Sequence, residues 1–450
     1  MHFEEQSVLG TIDEASGDVE IAFPLPPEPF LEAPETAHQL AIVTERPLID
    51  PKPSVGTFHY PNIQQMNRFY GRRVSLGYSP ARIEPDGLEL VIGLSDTDLR
   101  LRGISPLNLA TEMFSLAGIS ATQSSAGKVA MRVIQQMGGL DNCRVFKIKG
   151  VRDLLHEFSL PKAFSHSQAL ARIGPGFQVY KRLFIEPRES TELDPQDVFL
   201  YLLKKKVIRT GVELECSNCR SPEWRSLDDL AETVTCPYCG SPFDCGPQLQ
   251  DRCWFYRVSG VFARTRDNEG AIPVTLALQQ VMRCLDFRGV AWTTGMNLSW
   301  SESGKAIDGE TDLVVTSQDH EQVPELLIGE CETGMELNAE QIERLVNAAA
   351  RFADTGIKVY IMFAKAATTF TDRELELIDA RQTIDFNFIL LTARELEPNV
   401  PYVEATPDSS RGMAPATLGQ WAHYSQELYL KSKPADVLQR QVRPTSPTKS

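Results

Sequence analysis

The sequence predicts a multidomain protein of mixed α/β and α+β class, and three observations predict it. Beyond about residue 265, amphipathic helices and strand-like runs follow in the order α-β-β-β-α-β. Two C-x-x-C pairs, sixteen residues apart, stand before them. Between residues 61 and 193, short strand-like and helix-like runs are mixed. A chain of 450 residues has room for about two to four domains.

Taken in order, residues 1–60 read as an acidic, Pro-rich arm. FPLPPEPFLEAPE and RPLIDPKPS punctuate it, and it holds eleven Asp/Glu against two Lys/Arg, which is −9 of the formal net charge of −15. Residues 61–193 read as a small α+β domain of open role: a strand-like LELVIGL (88–94), a helix-like GKVAMRVIQQM (127–137), a strand-like CRVFKI (143–148), then GVRDLLHEF. SATQSSAGKVA could be mistaken for a phosphate loop. That motif needs Gly where Thr122 stands and Ser or Thr where Val129 stands, so Ser124, Ser125 and Gly127 are expected only to cap and start a helix.

Charge reverses locally between residues 144 and 188. There Arg144, Lys147, Lys149, Arg152, Lys162, Arg172, Lys181, Arg182 and Arg188 face three acids, a candidate surface for phosphates or simply a solvated face. The N-terminus, MHFEEQSVLG, is acidic where a secretory signal is basic and then apolar, and no run of about 18 apolar residues occurs. The expected setting is cytoplasmic, with no membrane. Nine cysteines, an odd number, then argue for free or metal-binding thiols over a disulfide framework.

Residues 194–260 read as a helix plus a zinc ribbon. DPQDVFLYLLKKKVIRTG (194–211) has Asp194 as cap and Pro195 at the first helical position. ECSNCR and TCPYCG then supply Cys216, Cys219, Cys236 and Cys239 as Zn²⁺ ligands: each C-x-x-C clamps one edge of a tetrahedron, and the spacer returns the second pair to face the first. Four thiolates close the metal's coordination, so the role expected is structural. Cys143, Cys245, Cys253, Cys284 and Cys331 read as small buried residues.

In residues 261–400, AIPVTLALQQVMRCLDF and AEQIERLVNAAARFA have helical apolar spacing, while VAWTTGMNLSW, TDLVVT, ELLIG and IKVYIMFA read as strands. Two of these strands end in acids. In GECET, Glu330 and Glu332 stand two apart and so project from one face, as do Glu310 and Asp312 in GETDLVV. Side-by-side carboxylates at a strand end call for a cation, unless they are merely charged edges that discourage aggregation. Residues 401–450 read as a C-terminal extension whose final segment, KSKPADVLQRQVRPTSPTKS, is a disordered tail.

The order α-β-β-β-α-β, with Asp312 in the second strand and Glu330-Cys331-Glu332 in the third, resembles the PD-(D/E)XK nuclease superfamily over roughly residues 265 to 395. The resemblance implies a restriction-endonuclease-like core. It implies that Asp312 and Glu330 hold Mg²⁺ or Mn²⁺, with the carbonyl of Cys331 as a third ligand. Glu332 occupies the position of the usual Lys; it could take a proton from the attacking water or bind a second metal. Glu310, Glu269 and Gln341 are additional candidates, and Lys358 a neighbour. The function implied is a metal-dependent endonuclease cutting DNA, by analogy in restriction or anti-phage defence. Its partners are nucleic acid and, since two strands must be cut, a homo-oligomer or regulatory proteins. The alternative is a non-catalytic zinc-ribbon protein that binds nucleic acid and carries a lapsed site.

Overall fold

The computed structural model describes residues 105–159, 162–186, 190, 192–250, 253–263, 270–285, 290–302, 304–319, 323–381, 387–397, 401–402 and 415–431, together with the backbone of seven strands between residues 6 and 103. The chain divides into two compact units, Met1–Leu109 and Ala110–Ser450.

The first unit is an antiparallel sheet. Its strands are β1 (Gln6–Ile12), β2 (Val19–Phe23), β3 (Gln39–Thr44), β4 (Gly56–His59), β5 (Ala81–Glu84), β6 (Gly87–Gly93) and β7 (Leu99–Gly103), in the order β5-β6-β3-β4-β1-β2-β7. The segment read as an arm therefore supplies four strands, and β2 and β3 pair with β7 and β6 from beyond residue 60. No domain boundary falls at that point. QSVLGTI, VEIAF and QLAIVT, apolar and β-branched, are strands, and the prolines of the Pro-rich runs lie outside the described residues.

The second unit begins within α1 (Pro106–Leu116) and continues through β8 (Ser120–Gln123), α2 (Ser125–Met137), α3 (Lys149–Glu157), β9 (Phe164–Ser165), α4 (His166–Ile173) and α5 (Pro195–Lys204). Next come the short strands β10 (Ile208–Glu215), β11 (Pro222–Ser226), β12 (Thr233–Thr235), β13 (Pro242–Asp244) and β14 (Phe255–Val258). Then follow α6 (Ala271–Cys284), β15 (Ala291–Glu302), β16 (Lys305–Gln318), β17 (Pro324–Glu332), α7 (Ala339–Ala350), β18 (Lys358–Lys365), α8 (Asp372–Asp379), β19 (Asn387–Leu391), α9 (Ala393–Leu396) and α10 (Leu418–Ser425). Among the described residues no helix is long and apolar enough to cross a membrane.

A six-stranded mixed sheet, β19-β18-β17-β16-β15-β8, is the centre of this unit. The pairs β8/β15, β15/β16 and β16/β17 are antiparallel, whereas β17/β18 and β18/β19 are parallel. Leu326, Leu327 and Ile328 in β17 and Ile361, Met362 and Phe363 in β18 are fully buried, as continuous apolar runs in parallel strands require.

β8 comes from the segment assigned to a separate domain at 61–193, yet it forms the edge of the same sheet as residues 291–391. SATQ is too short and too polar to announce a strand, and only its pairing with β15 makes it one. Ser124 caps α2 as expected, its Oγ accepting from Gly127 N at 2.9 Å. Gly127 is required there: a Cβ would lie 2.1 Å from the Gly295 carbonyl oxygen, so the start of α2 rests directly on β15.

Two further readings are corrected. CRVFK lies in a 3-10 helix, Leu140–Lys147, with Ile148 extended just past its end, and not in a strand; a short apolar run carries no periodicity to decide between the two. The helix expected over 194–211 stops at Lys204, and Lys206 turns the chain with φ 56° into β10, where β-branched Ile208 and Thr210 favour extension. The C-terminal extension joins the core through α10: Leu390 N donates to Ser425 Oγ at 2.7 Å, and Tyr402 Oη donates to the Leu390 carbonyl at 2.7 Å. The disordered-tail reading of residues 432–450 lies outside the described residues.

Candidate active site and four-cysteine cluster

The acids stand where β16 and β17 part. Their ladder runs from Gln318↔Pro324 to Leu313↔Gly329. Continued by one and three residues, it sets Asp312 opposite Glu330 and Glu310 opposite Glu332. On the far side, β17 pairs with β18 at Glu330↔Phe363 and Glu332↔Lys365. Register partners project from the same face of a sheet, so Glu310, Asp312, Glu330, Glu332 and Lys365 share one face.

The parting has a local cause. Gly329 N donates to Thr311 Oγ1 at 2.9 Å, and Cys331 N donates to the Asp312 carboxylate at 2.7 Å. Side chains of β16 thus satisfy two backbone amides of β17. The strands fork at the acids without leaving a buried donor unpaired.

α7 closes the site from above. Asn338 caps it, and in the capping box the Gln341 side-chain oxygen accepts from Asn338 N at 3.0 Å. With that oxygen committed, the Gln341 amide nitrogen faces the acids and donates to Glu330 at 2.8 Å and to Glu332 at 2.9 Å. Arg344, one turn on, adds a positive charge near Glu330 and stands 3.9 Å from Glu340. Sequence reasoning missed Arg344, although its i+3 spacing from Gln341 was a usable signal.

Burial, then the charge of Glu330, pushes the Asp312 carboxyl well above its ordinary range, against the stabilising bond from Cys331 N. Glu330 is pushed up to about 7, first by burial and further by the charge of Glu332, against the bond from Gln341. The Cys331 thiol is buried and pushed well above its ordinary value, so it does not offer a thiolate. Lys365, though beside Glu332 in register, is buried and held by Glu374 at 2.7 and 3.0 Å. It does not replace the missing lysine. Glu269 lies outside the described residues. Lys358 pairs with Asp319 at the other end of β18, where it registers with Glu325, and takes no part.

Asp312, Glu330, Glu332 and Gln341 come together, with Asp312 bonded to Cys331 N and both glutamates to the one Gln341 amide nitrogen. Among the described residues, the four cysteines alone form a group of three or more His, Cys, Asp or Glu whose ligand atoms all lie within 4.8 Å of one another.

That group is Cys216, Cys219, Cys236 and Cys239. Cys216 Sγ lies 3.7 Å from Cys239 Sγ, and Cys219 Sγ lies 3.6 Å from Cys236 Sγ. Four sulfurs at about 2.3 Å from a tetrahedral zinc would be about 3.8 Å apart, so the cluster could hold a metal such as zinc. Its two halves have one geometry. Arg220 N donates to Cys216 O at 2.8 Å and Gly240 N to Cys236 O at 2.9 Å; Cys216 N and Cys236 N donate to Ser221 O and Ser241 O. Bonds from Ser221 and Ser241 hold the Cys219 and Cys239 thiols below their ordinary value, Cys239 at about 6, which favours thiolates. Around the cluster, Val212, Leu214, Val234, Phe243 and Cys245 form a core of their own.

The basic stretch read at 144–188 is largely neutralised. Arg144 pairs with Asp141, Lys149 with Asp153, Arg152 with Glu397, Arg172 with Glu157 and Lys181 with Glu192. Lys147 is fully buried and donates to Gln280. Asp141, Glu192 and Glu397 all lie outside the stretch in sequence, so its local charge overstated its surface charge. Arg188 lies outside the described residues.

No protein-family model matches the chain, and no curated protein does. Among solved structures, protein VC1899 from Vibrio cholerae is similar at 10% identity and a TM-score of 0.30, over 70% of this chain and 66% of that one. A likeness of that size defines neither fold nor function.

Proposed function

We propose that the chain is a metal-dependent nuclease of PD-(D/E)XK type, hydrolysing phosphodiester bonds in DNA, with the four-cysteine cluster as a structural zinc site. One observation carries the reading: at the fork of β16 and β17, Glu310, Asp312, Glu330 and Glu332 share a face, and the carboxyls of Asp312 and Glu330 are raised by burial and then by the charge of neighbouring acids. Such an arrangement costs stability unless a cation relieves it. Hard oxygen donors of this kind suit Mg²⁺ or Mn²⁺, which when bound supplies a nucleophilic hydroxide and neutralises charge on the phosphate. Asp312 and Glu330 would hold the ion, with the Cys331 carbonyl beside them. Glu332 accepts the proton of the attacking water, and Gln341 positions both glutamates. Arg344 supplies positive charge near Glu330.

The test is cleavage of plasmid, linear duplex and single-stranded DNA, and of RNA, with Mg²⁺ or Mn²⁺. The comparison is with Asp312→Asn and Glu330→Gln variants shown to be folded and zinc-loaded. Cleavage by the wild type, reduced in both variants to the metal-free level, is the expected result. A second reading, a binding protein with a lapsed site, draws on two observations: the Gln341 amide already bridges Glu330 and Glu332, and Lys365 is locked to Glu374. Saturable Mg²⁺ or Mn²⁺ binding that disappears in Asp312→Asn would exclude it.

A further inference from the structure

A second site lies on the other end of α2. A cavity of about 520 Å³ is lined there by Arg132, Lys204, Lys205, Lys206 and Arg209, with Gln136 and Ser259 among the rest and no acid in its lining. In a chain of net charge −15, five cations about one cavity are a local reversal of sign. Two are already engaged: Lys204 pairs with Glu186, and Lys205 Nζ donates to the Met137 carbonyl at 2.8 Å, closing the C-terminus of α2. The side chains of Arg132, Lys206 and Arg209 meet no partner among the described residues.

The wall that carries them is tied down. Gln136 Nε2 donates to the carbonyls of Lys205 at 3.3 Å and Lys206 at 3.1 Å, and Ser259 Oγ donates to the Lys206 carbonyl at 2.6 Å. Lys206 itself has φ 56°, a conformation that a lysine adopts at a cost. The backbone at Lys205 and Lys206 is thus fixed, and the side chains of Arg132, Lys206 and Arg209 stand exposed about the cavity, open to an anion.

We propose that this cavity binds the sugar–phosphate backbone of a nucleic-acid strand, with Arg132, Lys206 and Arg209 as its phosphate contacts. No aromatic side chain lines it on which a base could stack, so the backbone is read and not a nucleotide's base. α2 links it to the acids. Gly127, in its first turn, rests on Gly295, which lies between the registered pairs Thr294↔Leu313 and Met296↔Thr311 and therefore beside Asp312. At about 1.5 Å per residue, the helix carries Arg132 and Met137 roughly 8 and 15 Å along its axis from there, about two to four base steps of 3.4 Å. A strand anchored in the cavity can thus present a neighbouring phosphate to the acids. This placement rests on the nuclease reading; binding in the cavity does not.

The test is fluorescence anisotropy of labelled oligonucleotides, single-stranded DNA, single-stranded RNA and duplex DNA, with the full zinc-loaded chain and no added Mg²⁺. Wild type is compared with the Arg132→Ala/Lys206→Ala/Arg209→Ala variant, with a charge-keeping Arg132→Lys/Lys206→Arg/Arg209→Lys variant, and with Lys149→Ala, all checked by thermal melting. The alanine variant should lose affinity about tenfold or more, and its slope of log affinity against log salt should fall by about 2 to 3. The charge-keeping variant and Lys149→Ala should retain both. The arm that responds most identifies DNA or RNA. Equal affinity and slope in wild type and alanine variant would overturn the proposal, as would a wild type that binds no oligonucleotide while inorganic pyrophosphate binds in the cavity. Loss of binding in a protein that cuts nothing leaves the cavity assigned and the nuclease reading refuted; cleavage with unaltered binding does the reverse.

Discussion

Glu330 sits under opposing demands: its backbone belongs to a buried strand, and its carboxylate shares a face with three other acids. Burial first, then Glu332, raises it from 4.5 to about 7. A carboxyl raised in the folded state contributes stability that is fully present below the unfolded pKa and lost as pH rises through about 7. The metal-free protein should therefore lose more stability between pH 5 and pH 8 than a Glu330→Gln variant does. The difference is at most about 3 kcal/mol, or several degrees in melting temperature. Differential scanning calorimetry of the two proteins across that range checks it. If the acids bind Mg²⁺, the ion raises the wild-type melting temperature more at pH 8 than at pH 5.5, and equal shifts would count against the metal reading.

The two cysteine knuckles allow a comparison within one molecule at the scale of the element. At the same place in each, Arg220 has φ 56° and Gly240 has φ 71°, under the same pair of backbone hydrogen bonds. Only glycine adopts that region without cost. Arg220→Gly should stabilise the zinc-loaded protein by up to about 1 kcal/mol, and Gly240→Ala should destabilise it by about as much or more. Urea denaturation separates the signs. Elements also show how far local pattern carries. GECET and GETDLVV were legible because strand alternation alone places the acids of each on one face. SATQ became a strand only through β15, and CRVFK carries no periodicity to mark its 3-10 helix.

At the scale of the whole molecule, charge was the least legible property. The window 144–188 looked basic because Asp141, Glu192 and Glu397, which neutralise part of it, are outside it. The cavity around Arg132, Lys206 and Arg209 was invisible because α2, the turn after α5, and β10 meet only in three dimensions. Lys365 likewise could not be seen to be lost to Glu374. β10 also joins the cavity to the cysteines, with Arg209 near one end and Cys216 just past the other. The core about those cysteines is too small to stand alone, so its order is expected to depend on the metal. If the cluster holds one zinc per chain, stripping it with a chelator should both lower the melting temperature and weaken oligonucleotide binding, and restoring zinc should recover both. Metal analysis beside anisotropy measures this.

The contact of Gly127 with Gly295 bears on how such a chain can diverge. Because the first turn of α2 is pinned to the sheet, one residue inserted between Gly127 and Arg132 would turn every later side chain by about 100° and swing Arg132 away from the cavity. The hairpin at Gly304, with φ 77° and nothing near its missing Cβ, bears no such constraint. Kindred chains are therefore expected to vary in length at that hairpin and to keep α2 residue for residue.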